Sequence, residues 1–97
     1  MFTDRPQAQS SVQIDNARVR VTEWRFAPGA ETGWHVHDCD YVVVPQSTGK
    51  LDLETLDGHT FSTLESGVSY YRERGVEHNV INPNDEEFVF VEIELKA

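Results

Sequence analysis

Glycine, proline, asparagine and aspartate interrupt this chain at short intervals, and that punctuation decides most of what it can fold into. Pro28-Gly29, the stretch from Pro45 to Gly49, Asp57-Gly58, Gly67, Gly75 and Asn82-Pro83-Asn84-Asp85 leave only short segments between them. Those segments, residues 18–26, 34–37, 41–44, 50–55, 60–64, 69–72, 78–81 and 88–95, are rich in Val, Phe, Tyr, Trp and Thr. Such side chains suit a pleated, half-buried surface, and no long run carries helical spacing with caps. Many short strands at intervals of roughly 8–12 residues predict an all-β sandwich or barrel. Asp57-Gly58 predicts a hairpin turn, since both residue types tolerate positive φ. Residues 88–95 run apolar and then alternate, as expected of a strand covered on both faces at one end and half exposed at the other.

The 97 residues suffice for one domain with one core. Residues 1–11 are polar, contain Pro6 and lack periodicity, so they are expected to form a flexible N-terminal arm ahead of a folded domain over 12–97. A net charge of −9 argues against nucleic acid and anionic membranes, because phosphate binding needs a basic patch. No stretch approaches the roughly 20 apolar residues of a membrane span, and the first residues show no basic segment followed by an apolar run. Cys39 is the single cysteine, which excludes an internal disulfide framework and fits a cytoplasmic location.

Three of the four histidines fall where they could meet. His35 and His37 are two apart in an extended segment, so both imidazoles leave one face, about 7 Å apart along the backbone. Two ring nitrogens so placed can reach one ion at about 2.1 Å. His78 opens a later strand after Gly75, and a folded sheet can bring it opposite the pair. Taken alone, a His-x-His pair is as compatible with an accidental surface pair or a carbonyl-bonded histidine. His59 follows the Asp57-Gly58 turn and reads as solvated.

The punctuation around these histidines resembles the cupin superfamily. Gly29, five residues, His35-Val36-His37 and a later Gly49 are similar to its first motif. Gly67, five residues, Glu73-Arg74-Gly75, two residues, His78, three residues and Asn82 are similar to its second, with Glu73 in place of a proline. The resemblance covers roughly residues 18–95. It implies a double-stranded β-helix, the cupin jelly-roll barrel, with one divalent transition metal ion (Fe, Zn, Ni, Mn or Cu) held by His35, His37 and His78. Stretches 22–26, 40–45 and 75–82 further resemble small bacterial cupins associated by name with β-alanine degradation, a pathway association rather than a reaction. Barrels of this size in the family commonly form homodimers, which is the expectation carried over here.

The chain departs from the family at the fourth ligand, a glutamate. With three or four residues intervening after His37, the matching positions are Tyr41 and Val42, neither of them a carboxylate. Asp40 can replace it only if the strand bulges or turns at Cys39, and Tyr41 can offer a phenolate or an outer hydrogen bond. A three-histidine site with water in its remaining positions is preferred, as in some iron cupins that cleave carbon–carbon bonds. Open positions beyond three protein ligands are what chemistry at a metal requires.

In the second motif, alternate residues among Tyr70, Tyr71 and Arg72 should face inward, and an inward arginine suits a carboxylate substrate. The competing reading pairs Arg72 with Glu73 or Glu77. Three functions follow for the cavity: a metal-dependent enzyme on a small carboxylate or dicarbonyl compound, with Tyr41 and Arg72 as its working residues; a module that binds a small-molecule ligand without turnover; or a barrel merely stapled by its metal.

Overall fold

In a computed structural model, which describes residues 4–96, every segment between the breakers becomes a strand. The strands are β1 (Gln9–Asp15), β2 (Val19–Phe26), β3 (His35–Val36), β4 (Asp40–Pro45), β5 (Gly49–Thr55), β6 (Gly58–Leu64), β7 (Tyr70–Arg72), β8 (Glu77–Ile81) and β9 (Phe88–Leu95). There is no helix among the described residues. They build a five-stranded sheet in the order β1-β2-β9-β4-β7 and a four-stranded sheet in the order β3-β8-β5-β6. All named strand pairs are antiparallel, and the two sheets make the double-stranded β-helix, or jelly roll, that the resemblance to cupins implied.

Register decides what each side chain faces, because partners directly across a sheet share one face. Trp24, Phe90 and Pro45 form one inward row of the larger sheet. The next row is Thr22, Glu92, Val43 and Tyr70, and the row after it is Arg20, Glu94, Tyr41 and Arg72. Phe26, Phe88, Phe90, Val43, Leu51 and Val80 fill the core between the sheets. At about 25 cal/mol per Å² of apolar surface, such burial is the main term that holds so short a chain together.

The polar arm expected over residues 1–11 is not loose where it is described. Gln9–Asp15 pairs with β2 across a bulge between Val12 and Ile14, and Ala8 is buried. Upstream of the strand, Glu31 N donates to Pro6 O at 2.9 Å and Ala8 N donates to Glu31 O at 2.8 Å. Composition missed this strand because edge pairing satisfies backbone groups whatever the side chains, and all seven residues of β1 are exposed. Residues 1–3 of that expected arm lie outside the described residues.

The hairpin between β5 and β6 also differs in detail. Thr55 pairs with Gly58, so Leu56 and Asp57 are the loop, and only Gly58 takes positive φ, at 115°. The Asp57-Gly58 signal located the turn but shifted its centre by one residue.

Asn82 closes β8 and is wholly buried. Its amide nitrogen donates to Phe26 O (3.1 Å), Ala27 O (3.3 Å) and Glu86 O (2.9 Å). Its oxygen accepts from Asn84 N (2.9 Å) and Asn84 Nδ2 (2.7 Å). One side chain thereby ties the ends of β2 and β8 to the loop before β9.

Candidate metal centre

β3 and β8 pair so that His35 stands directly opposite His78. His37 lies just past β3, where its N–H donates to Val76 O at 2.9 Å and its carbonyl accepts from Gly75 N at 2.8 Å. Gly75 makes that approach at φ +95°, a conformation that favours glycine. The outcome is a triad: His35 Nε2 is 3.1 Å from His37 Nε2, which is 3.2 Å from His78 Nε2. The three candidate ligand atoms all lie within 4.8 Å of one another.

That geometry fits one ion. With bonds of about 2.1 Å, donors on adjacent octahedral corners stand about 3.0 Å apart and on tetrahedral corners about 3.4 Å. The protonation pattern fits as well. His35 Nδ1 donates to Gly33 O at 2.9 Å, which leaves the lone pair on Nε2, the atom aimed at the triad. Thr32 Oγ1 lies 3.3 Å from the same Nδ1. Asn79 accepts from Gly33 N at 2.9 Å and donates to Glu31 at 2.8 Å and Glu54 at 3.1 Å, which fixes the loop before β3 onto β8. Burial, reinforced by the neighbouring imidazoles, lowers His37 to about 4 and His78 to about 3. Imidazole nitrogens that converge in this way are the donor set a divalent transition metal takes.

A pH dependence follows for protein stripped of metal. Unfolded histidines take up protons below about pH 6.5. Folded His78 declines its proton until pH falls to about 3. The stability that neutral His78 contributes is therefore present above pH 6.5 and lost as pH falls from there through its folded pKa. Urea melts of the metal-free protein and its His78→Ala variant at pH 7.5 and 5.0 isolate this contribution from the charge of the rest of the chain. The wild type is expected to lose stability relative to the variant on acidification, by at most about 1.4 kcal/mol per pH unit. An unchanged or widening advantage at pH 5.0 contradicts it.

The triad borders two spaces whose linings share Val80, Phe90 and Glu92. A mainly apolar cavity of about 240 Å³ is lined by His78, Tyr41, Tyr70, Arg72 and Glu92, with Leu51 and Val43 among its walls. A second, more polar space of about 300 Å³ is lined by His35, His37, Arg20, Glu94 and again Glu92. Tyr41 stacks on His37 with ring centroids 3.9 Å apart, and burial raises its phenol, so it offers a neutral O–H rather than a phenolate. Arg72 lies over the Tyr70 ring at 5.0 Å and makes no ion pair among the described residues. Glu77, one partner considered for it, instead accepts from Trp34 Nε1 at 2.8 Å.

Not every candidate reaches the centre. Asp40 faces away: its carboxylate accepts from Tyr71 Oη and, at 2.8 Å, from Arg74 N. The chain bends at Asp38 and Cys39 before β4, but this leaves Asp40 on Tyr71 and Arg74, so it does not stand in for the family glutamate. His59 is exposed but not merely solvated, since its Nδ1 meets Asp52 at 2.8 Å. Glu92 was missed. Burial together with Glu94 pushes its carboxyl up to about 7. Its signal was strand parity, since Glu92 shares a face with the core residues Phe88 and Phe90.

Comparisons with known proteins agree with this geometry. Residues 22–94 match the family described as Cupin domain. The chain is 61% identical over 95 residues to the β-alanine degradation protein BauB of Pseudomonas aeruginosa, covering 98% of this chain and all of that protein. A crystal structure of a cupin domain from Bordetella pertussis is similar at TM-score 0.96 and 67% identity, over 99% of this chain and 100% of that one. A protein with a double-stranded β-helix domain from Klebsiella pneumoniae shares the fold at TM-score 0.77 and 22% identity, over 98% of this chain and 82% of that one. With its two motifs, its jelly roll and its histidine triad, this chain belongs to the cupin family.

Proposed function

We propose that this chain is a metal-dependent enzyme acting on a small carboxylate or dicarbonyl compound. The observation that carries the reading is one cavity in which a histidine of the triad, two tyrosines and an arginine without an ion pair meet. His35, His37 and His78 would hold one divalent transition metal. When bound there, such an ion supplies a Lewis acid and open coordination positions for a substrate oxygen or water. Mn, Fe, Ni, Cu and Zn all tolerate imidazole, so the donor set alone does not choose among them.

The remaining residues position and enclose. Arg72 presents a guanidinium able to grip a carboxylate through paired N–H donors, while its stacking on Tyr70 limits the conformations it must give up on binding. Tyr41 and Tyr70 can each donate a neutral O–H, because burial raises both phenols. Val43, Leu51 and Val80 exclude water from the far side of the cavity, which strengthens polar contacts within it. BauB carries β-alanine degradation in its name, and a route that handles a carboxylate compound suits this cavity.

The test follows short carboxylates and dicarbonyls by NMR in the presence of metal-loaded protein. At least one should turn over, stop on chelation, and bind about tenfold more weakly to the Arg72→Gln variant. Binding without turnover across the panel would make the barrel a binding module instead. A melting temperature that falls on chelation while no small ligand raises it would leave only the stapling role.

A further inference from the structure

Glu92 has no task in the site as described so far. It stands in the middle of the larger sheet, on β9, with Thr22 and Val43 beside it in its row. Among the described residues it is the one ionisable side chain that lines both spaces next to the triad. One row along the same face, Glu94 has Arg20 at 3.7 Å. Thr22 occupies the matching place beside Glu92, and among the described residues Glu92 makes neither an ion pair nor a hydrogen bond. No buried polar atom of the described side chains is left without a partner, so the Glu92 oxygens keep access to the cavity space.

A carboxyl held among apolar walls without a donor is costly, and a core position such as this is ordinarily apolar. Arg72 lines the same cavity, also without an ion pair, with Tyr41 and Tyr70 lining it as well. The cavity thus presents an acceptor and a cationic fork, and among the described residues neither has a partner of opposite charge.

We propose that Glu92 is a specificity residue: it accepts a hydrogen bond from an O–H or N–H group on the substrate whose carboxylate Arg72 holds. The substrate class is then a short carboxylate that also carries a hydroxyl or amino group, rather than a plain acid. This deepens the preceding section and rests on its reading of Arg72. Glu92 does not belong to the triad, so its replacement leaves the histidine donors in place.

The experiment is calorimetric titration of zinc-loaded protein with butanoate, 4-hydroxybutanoate and 4-aminobutanoate, which share the carboxylate and carbon chain and carry at C4 no donor, a neutral hydroxyl or a charged ammonium. Wild-type protein should prefer at least one donor-bearing probe over butanoate by about tenfold, the worth of a hydrogen bond to a charged group. Glu92→Gln, and the apolar Glu92→Met as a second variant, should cut that preference to less than about threefold. Neither should weaken butanoate binding or lower zinc stoichiometry; the retained zinc shows that the barrel has folded. The hydroxy and amino arms tell which donor the site selects. Equal affinity for all three probes in the wild type, or a preference that survives both variants, overturns the role of Glu92 while leaving Arg72 as an anchor. No binding of any probe overturns both.

Discussion

Replacing His78 by alanine is expected to abolish stoichiometric metal binding while leaving the barrel folded. Removing a hydrogen-bond partner behind a ligand typically costs roughly 10–100-fold in metal affinity, and losing one of three ligand atoms costs more. The neighbours of His78 do not replace it. Asn79, next along β8, is committed to Gly33, Glu31 and Glu54, and Asp40 to Tyr71 and Arg74. Folding should survive because backbone pairing of β8 with β3 and β5 does not depend on the imidazole. His59→Ala is the control: His59 lies on β6, bonded to Asp52, and its loss should leave metal content untouched. Metal analysis by plasma mass spectrometry after desalting measures both. A His78→Ala protein that keeps a full equivalent of metal places the ion elsewhere.

The second large effect concerns stability. Asn82→Ala should cost about 3 kcal/mol or more, a substantial share of the roughly 5–15 kcal/mol that a domain of this size has. The variant removes the donor shared by Phe26 O, Ala27 O and Glu86 O, of which Ala27 O keeps Ala30 N at 2.9 Å, and it frees the two Asn84 donors. It also leaves a void where a fully buried side chain stood. Thermal unfolding should drop by roughly 15 °C. Asn82→Asp is expected to be no better, because a carboxylate cannot donate to Phe26 O, Ala27 O or Glu86 O. Circular dichroism melts of both variants decide it, and a drop below about 1 kcal/mol for Asn82→Ala would show that the loop before β9 holds itself.

The larger part of the fold was legible because turn chemistry is local. Gly29, Gly67 and Gly75 take φ values of 79°, 81° and 95°, and those residues marked the breaks between strands. Alternation then set the faces: Tyr70 and Arg72 line the cavity while Tyr71 points outward to Asp40. What stayed hidden depends on pairing across the chain. β1 was missed because it is an exposed edge strand held by backbone hydrogen bonds, and its only apolar pair, Val12 and Ile14, is short and lies among polar residues. Asp40 was open to a ligand role until register fixed the direction in which its strand leaves Cys39.

The histidine triad shows the same division. His35 and His37 share a face by local parity, whereas the match of His35 to His78 is a fact of register across 43 residues. The motif spacing that resembles cupins stood in for that register. Glu92 is the instructive miss. An acidic residue at the polar end of an alternating strand reads as solvent-facing, yet its parity is that of Phe90, and the strands on either side enclose it.

The central claim is that three imidazoles hold one open metal centre. Untagged protein, purified without a metal-affinity column and analysed for metal content and by X-ray absorption at the edge of the metal found, tests it most directly. The account predicts about one transition metal ion per chain, with about three imidazole nitrogens at roughly 2.1 Å and the remaining positions filled by light oxygen donors. Protein that contains no metal and takes up none from zinc, iron, nickel, manganese or copper solutions, or a centre with fewer than two histidine nitrogens, would contradict it.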